Sequence, residues 1–542
     1  MKRLFVAMIA AVGTVSMMAQ ETYENAKLAT EDLNGTARYV GMGGAMEALG
    51  ADISTIGTNP AGIGMFRKGM ASVSFGVNSQ QDAPDMFGAS KTKMSFDQAG
   101  FVYSMRTDVD SWINFGFNFH KGTNFNYILG AADKFPVFSH MDENGQMLYH
   151  TASQNKLTYA KAKNKLLYPL SDKGGYYWNE PLASCSQLDD IYVKNQNYDS
   201  SGDSWYYDEA DSYTLNRNQK GYISHYDINL SGNIHNKMYL GLTIGLQDVN
   251  YKHYGEYSEY YTIDNYTGLV SVSDDRIIDG TGVNLKAGII LRPIDESAFR
   301  IGAYVHTPTW YDLKTSNQTV IRGSIPYKDG NSYKNLSYSA SSSESYEFKL
   351  YTPWKFGLSA GHTIGSQLAL GATFEYADYG SLDTRYNTGR VYDGWGSYED
   401  SESDDVMNRH TEETLKGVAT LKLGAEFRPD PALAVRLGYN YVSPMYKAEG
   451  FKDGSLCTDG TYYATTTDYT NWKATNRITC GLGYKVGRMN FDVAYQYSAT
   501  NGEFSPFMNY YDNDTAADDN ICNAVNVSNK RHQVLFTLGY TF

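Results

Sequence analysis

The chain has 542 residues with 60 acidic against 46 basic side chains, a formal charge of -14 and a pI near 5.2. That balance disfavours nucleic-acid partners, because phosphate backbones are bound by basic surface. The 47 Tyr and only 13 Pro suit long strands with aromatic girdles.

Lys2 and Arg3, the mostly apolar run 4–18 and the small Ala19 before Gln20 read as a secretory signal peptide over 1–19. No Cys follows, so a lipoprotein anchor is not expected. Beyond Ala19 no apolar run reaches the 18 or more residues of a transmembrane helix, and the mean hydropathy of -0.46 is that of a polar chain.

Residues 20–68 precede the first alternating segment. Within 34–68, Gly35, Gly41, Gly43, Gly44, Gly50, Gly57, Gly62 and Gly64 break any strand pattern, predicting a compact irregular element that tolerates close backbone approach. Gly41-Met42-Gly43-Gly44 is a poor dinucleotide fingerprint, since no strand precedes it and the third glycine is out of place.

From residue 69 onwards apolar residues recur with period two, as in half-apolar strands. Strands are predicted near 69–80, 96–106, 112–126, 221–233, 238–252, 280–292, 299–310, 346–363, 367–379, 412–428, 433–442, 475–485, 489–497 and 531–542. Val534, Phe536, Leu538, Tyr540 and Phe542 share one face of the last, with Leu535 the exception on the other. Cys480 sits with Ile478, Leu482 and Tyr484 on an apolar face. The connections alternate short (107–111, 234–237, 293–298, 364–366, 429–432, 486–488) and long (127–220, 253–279, 311–345, 380–411, 443–474, 498–530), with 81–95 intermediate. The expected fold is all-β: a transmembrane antiparallel β-barrel of about 14 strands over 69–542, with long outer loops of which 127–220 is the largest, and an N-terminal hatch inside. Placement in a Gram-negative outer membrane with both termini periplasmic follows. A lumen of that width is too large for its own side chains to fill, so residues 20–68 are the available plug.

The run Ala37-Arg38-Tyr39-Val40-Gly41-Met42-Gly43-Gly44-Ala45, followed by Asn59-Pro60-Ala61-Gly62 just before the first strand, resembles the N-terminus of the FadL/TodX family of outer-membrane transporters for hydrophobic compounds. The match is strongest over 34–76. The resemblance implies a fourteen-stranded barrel, a hatch, an apolar outer pocket and lateral exit beside a kinked third strand. That strand would be near 112–126, with Gly116 and Gly122 as its cheapest kink positions. It places Asn59, Pro60 and Ala61 in the hatch near that wall. The long 127–220 connection departs from the pattern and puts substrate identity in doubt.

The function expected is passive uptake of long-chain fatty acids or other small hydrophobic molecules. A FadL-like barrel serving as a protein-binding secretion component, or a haem or porphyrin receptor hinted at only by His120 and His306, are the alternatives. Partners are a hydrophobic ligand and membrane lipid. Strand parity turns Lys286, Arg300, Lys355, Lys422, Arg436, Glu375, Glu426 and Asp492 towards the lumen. A salt-bridge lattice fixing the hatch is preferred there to a carboxylate cradle. Arg300 and Lys355, then Lys286 and Arg436, lead for anion contact. The Cys spacing is not that of a zinc site, and disulfide pairing among Cys185, Cys457 and Cys522 is left open. No hydrolase or metalloprotease motif occurs, and the acidic run 399–405 reads as a solvated loop rather than an EF-hand, so no enzyme activity, metal or cofactor is expected.

Overall fold

The computed structural model describes residues 22–86, 88–135, 210–263, 265–329, 332–392, 394, 397–452, 466, 468–507, 509 and 522–542, with six short strands between 137 and 207. The signal-peptide segment, Cys185 and Cys457 lie outside the described residues.

Fourteen antiparallel wall positions close on themselves. They are β1 (Met70–Gln81), β2 (Thr92–Asp108), β3 (Ser111–Asn124, resumed as Tyr127–Lys134), β4 (Ala210–Ile234), β5 (Met238–Ile263), β6 (Tyr266–Leu291) and β7 (Arg300–His306, resumed as Trp310–Asp329). The circuit continues through β8 (Ser332–Tyr351, resumed as Lys355–Ile364), β9 (Leu368–Asp378, resumed as Asp383–Tyr392), β10 (Ser397–Ser403, resumed as Gly417–Asp430), β11 (Leu433–Val442), β12 (Tyr469–Val486), β13 (Met489–Ser505) and β14 (Val525–Thr541). The seam between β1 and β14 runs from Met70↔Thr541 to Gln81↔Lys530. A closed ladder satisfies the backbone groups that lipid cannot.

The outer face is a hydrocarbon belt. On β5, Leu240, Leu242, Ile244 and Leu246 are exposed while Thr243 and Gln247 of the alternate positions are buried against the interior. On β14, Phe536, Leu538, Tyr540 and Phe542 face out in the same way. Cys480 is exposed in the company of Ile478 and Leu482. Leu535 breaks the alternation because it packs inside against Ala37 and Val40 of the N-terminal segment and Ala494 of β13.

Two expectations are corrected along the wall. The connections 253–279 and 311–345 are not loops: β5 and β6 pair out to Ile263↔Tyr266, and β7 and β8 to Asp329↔Ser332. Similarly 399–403 is strand and is followed by helix α3 (Asp405–Thr414). The inward face of these extensions is buried but carries many polar residues, among them His253, Glu259, Asp274, Arg276 and Thr315, so the apolar–polar contrast that betrays a strand is weak there. The segments 299–310 and 346–363 are each interrupted, at Thr307–Thr309 and Thr352–Trp354, where Pro308 and Pro353 cannot donate to a ladder. The two breaks face one another, and Thr352 N donates to Thr309 O at 3.1 Å.

No helix among the described residues is long and apolar enough to cross a membrane. Residues 22–68 instead run through the barrel interior as helices α1 (Thr22–Leu28) and α2 (Ala37–Gly41) and two 3-10 turns, Ile53–Gly57 and Pro60–Met65. At one end Arg67 bonds to Asn236 in a short turn, on the rim where Phe542 N donates to Gly69 O. At the other, Thr22 Oγ1 lies 2.9 Å from His410 Nδ1 and 3.0 Å from Thr411 Oγ1 of α3, beyond the long-connection rim. Thr22, the first described residue, thus lies at the rim opposite Phe542.

Candidate functional site: an occupied lumen beside an opening in the wall

The N-terminal segment is seated by close backbone approach. A Cβ on the wall glycines Gly241, Gly371, Gly424 or Gly438 would stand 2.0–2.3 Å from backbone atoms of Pro60, Ala45, Met42 and Gly43 respectively. Gly288 gives the same room to Asn59 Oδ1, at 2.0 Å, and Gly481 faces Gly41. Within the segment, Gly43 at φ +63 turns the chain out of α2 where a side chain would strike Tyr439 N. Gly44, at φ +79, is packed by Leu33 and Tyr39, and Gly62 by Thr55.

Asn59 is fully buried and caps the second 3-10 turn, its Oδ1 accepting from Ala61 N at 3.2 Å and its Nδ2 donating to Glu47 O at 3.0 Å. Pro60 occupies the first position of that turn, where the missing N–H costs nothing. Its carbonyl accepts from Ser231 on β4. Asn59, Pro60 and Ala61 thus contact β4, β5 and β6, and the same turn reaches β3 where Asn114 Nδ2 donates to Ile63 O at 2.8 Å.

Every leading lumen cation is engaged by the protein itself. Lys355 Nζ is 2.6 Å from Glu31, Lys286 Nζ is 2.8 Å from Asp227, and Arg436 bridges Glu426 and Asp492 at 2.6 Å each. Arg300 donates to Leu49 O at 3.3 Å. Segment residues join the same lattice through Arg38–Glu426 at 3.0 Å and Glu47–Lys422 at 3.0 Å. His306 Nε2 is 2.7 Å from Thr58 O.

The third strand supplies the site's defining geometry. β2 and β3 pair only from Asp108↔Ser111 to Gln98↔His120. Above that point Thr92–Phe96 pair with β1. On the other side, the β3–β4 ladder carries one extra residue between Lys121↔Ser224 and Thr123↔Ile223, a bulge at Gly122. A Cβ at Gly122 would fall 2.2 Å from His225 Nε2, so only glycine fits. Gly116, the other position read from the sequence, pairs regularly with Val102 and Asn229 and lies against Ile56.

The unpaired edge is stitched to the N-terminal segment. Asp32 N donates to Gly122 O at 2.7 Å, and Asn124 N donates to Asp32 Oδ2 at 3.0 Å. Thr123 Oγ1 donates to Thr30 O. Asn34 Nδ2 reaches both edges, donating to Asp97 Oδ1 on β2 and to Lys121 O on β3, each at 3.1 Å. Asp32 is also held by Arg477 at 3.2 Å and Arg531 at 3.8 Å. Higher up, Lys93 Nζ spans the same interruption to Asn126 Oδ1 at 2.6 Å.

A cavity of about 320 Å³ lies directly inside. Asp97, His120 and Gly122 border it at the interruption, and Phe125, Tyr127, Tyr222, Tyr379, Tyr446 and Trp472 supply aromatic surface above. Its lining also carries Lys121, Arg477 and Arg531, so this cavity is of mixed character. α1 covers its outer side, with Tyr23 stacked on Tyr446 at 5.0 Å between centroids.

α3 holds α1 in place, and its N-cap is Asp404, whose Oδ1 accepts from Met407 N at 3.0 Å. Burial pushes the Asp404 carboxyl up to about 6. A raised acid is best tolerated protonated, so this stability is complete below the ordinary 3.8 and is lost as pH rises through about 6. Intrinsic-rate-corrected hydrogen exchange over 405–414 is expected to accelerate across that window, and Asp404→Asn to abolish the dependence. An unchanged profile in the variant would refute the assignment.

No protein-family model matches the chain, and no curated protein does. Among solved structures, a Pseudomonas aeruginosa FadL homologue aligns over 95% of this chain and all of its own at 12% identity, with a TM-score of 0.50. The chain has the FadL fold. Two toluene transporters also align, TbuX of Ralstonia pickettii (12% identity, 94% of this chain and 98% of that one, TM-score 0.43) and TodX of P. putida (11%, 94% and 99%, TM-score 0.45).

Within this FadL-fold barrel, sequence reasoning missed Asp32 and Asn34, which bond to the edges of the wall opening, and the inward glycines of β5, β6 and β9–β12. A glycine in each of these strands was a usable signal for them. Asp32 and Asn34 had none, since an Asp and an Asn ahead of a glycine-rich stretch are common turn residues.

Proposed function

We propose that the protein is an outer-membrane channel for passive, ATP-independent uptake of small hydrophobic molecules, with long-chain fatty acids the leading class. In this reading residues 22–68 act as a movable hatch and cargo leaves sideways between β2 and β3. The observation that carries it is the interruption of the β2–β3 ladder above Gln98↔His120, opening from the lumen cavity, with Asn34 of the hatch bridging its two edges and Asp32 bonded to its β3 edge.

The physical argument concerns water. Exposing a fatty chain costs roughly 0.8 kcal/mol per CH₂, on the order of 12 kcal/mol for about fifteen groups. A route from an aromatic cavity through the wall into hydrocarbon avoids most of that cost, whereas exit into an aqueous compartment incurs it in full. The bonds across the opening are few and polar, and so can open at modest cost once Asp32 and Asn34 withdraw.

Deleting Gly122 removes the extra residue of the bulge and lets β3 continue in register. Cells carrying that variant are expected to lose uptake of a labelled long-chain fatty acid while the barrel still folds, as judged by heat-modifiable gel migration. Uptake at the wild-type rate would overturn lateral exit. Mass spectrometry of lipids copurifying with the intact chain tests the cargo class: a lipid-free lumen accompanied by a stoichiometric protein partner would overturn transport itself.

A further inference from the structure

Directly below the bulge, the wall gathers three metal-ligating side chains. His120 on β3 and His225 on β4 are cross-strand partners, and Asp227 follows His225 by two residues, hence on the same inward face. One ligand atom from each of the three lies within 4.8 Å of the others. His225 and Asp227 are buried, and the two imidazole centroids are 4.8 Å apart.

Two details set this cluster apart from a satisfied polar network. Asp227 divides its oxygens: Oδ1 accepts from Lys286 Nζ at 2.8 Å, while Oδ2 is buried without a hydrogen-bond partner, 3.7 Å from His120 Nδ1. An unsatisfied buried carboxylate oxygen is costly, and it is aimed at the imidazoles. Both histidines border the lumen cavity, which provides a path for an ion. The absence of a side chain at Gly122 is also what leaves space for the His225 ring.

We propose that His120, His225 and Asp227 bind one divalent first-row transition-metal ion at the foot of the wall opening. Two imidazoles and a carboxylate suit Zn²⁺ and its neighbours, whereas Ca²⁺ and Mg²⁺ prefer all-oxygen shells. Tetrahedral Zn²⁺ needs donors about 3.3 Å apart, which side-chain rotation over an ångström or so supplies from the present spacing. Lys286 fixes the orientation of Asp227 through its other oxygen, the outer-shell role common at such sites. The fourth position faces the cavity and is open to water. The ion would tie β3 to β4 at the base of the bulge. This proposal stands on the ligand geometry alone and does not depend on what the channel carries.

The test is Zn²⁺ titration of the purified, chelator-stripped full-length barrel in detergent by isothermal calorimetry. One ion per chain is expected, with affinity falling about tenfold or more in His120→Ala and in His225→Ala and unchanged in His235→Ala, an exposed turn histidine. Binding that survives both ligand substitutions, or no binding by the wild type, overturns the site. Because removing a buried imidazole can impair folding, Co²⁺ absorption of the unmodified protein gives an independent readout. Intense d–d bands displaced by Zn²⁺ support the site, and only the weak spectrum of the hexa-aqua ion refutes it.

Discussion

Replacing Glu47 by alanine is expected to unseat the N-terminal segment while leaving the barrel folded. Glu47 is fully buried, and it accepts from Lys422 at 3.0 Å, Thr373 Oγ1 at 2.7 Å and Tyr39 OH at 3.1 Å. Removing one partner of a buried ion pair costs about 3–5 kcal/mol, because the remaining charge keeps its desolvation penalty. Lys422 retains Glu375 at 3.5 Å, which places the expected loss towards the lower end, about 3 kcal/mol. The penalty falls on segment–wall docking, since the ladders of β9 and β10 do not pass through Glu47. Hydrogen exchange and protease cleavage over 37–66 should rise sharply while heat-modifiable migration persists. Glu47→Gln, which keeps the size and part of the bonding, should be intermediate. Equal protection of 37–66 in Glu47→Ala and wild type would show that the buried carboxylate does not hold the segment.

The second large effect is expected at the wall opening. Asp32→Ala combined with Asn34→Ala removes the side-chain acceptor for Asn124 N, the two Asn34 bonds that cross from β2 to β3, and the contacts to Arg477 and Arg531. Hydrogen bonds to charged groups are worth about 1.5–3 kcal/mol each. Loss of the Asp32 bond alone should therefore speed amide exchange at Asn124 by about tenfold or more. Exchange at Phe117 and Phe119, inside the paired part of β3, should not change. If Asn124 keeps its wild-type protection, the segment is not what closes the interruption. Under the proposed function the same variant should admit hydrophobic probes faster.

These experiments separate seating from closure. The lattice of Arg38, Glu47, Glu426 and Lys422 positions the segment at mid-lumen, whereas Asp32 and Asn34 seal one place on the wall. The cations read as candidates for anion contact, Lys286, Lys355 and Arg436, are each committed to a carboxylate of the protein. Their positions inside the barrel follow from strand parity, but what they face depends on where residues 22–68 run.

What the amino-acid sequence determined by itself was the wall. Alternation over 489–497 and 531–542 appears as the exposed and buried faces of β13 and β14, and even Leu535, the exception, marks a contact with Ala37 and Val40. Lipid on one side and a polar lumen on the other impose period two on every spanning strand, so that pattern is local and legible. The strand extensions over 253–279 and 311–345 were hidden for the converse reason: their buried inward face carries polar residues such as His253, Glu259, Asp274 and Arg276, which leaves little contrast with the exposed face. Only the tertiary structure decided the site. Gly116 and Gly122 are equivalent in the sequence, but at Gly122 alone does the ring of His225, more than a hundred positions away, claim the missing side chain's place. Asp32 acquires its role because Gly122, Asn124, Arg477 and Arg531 converge on it from two sides of the barrel. Barrel closure brings those partners together, and no local spacing encodes it.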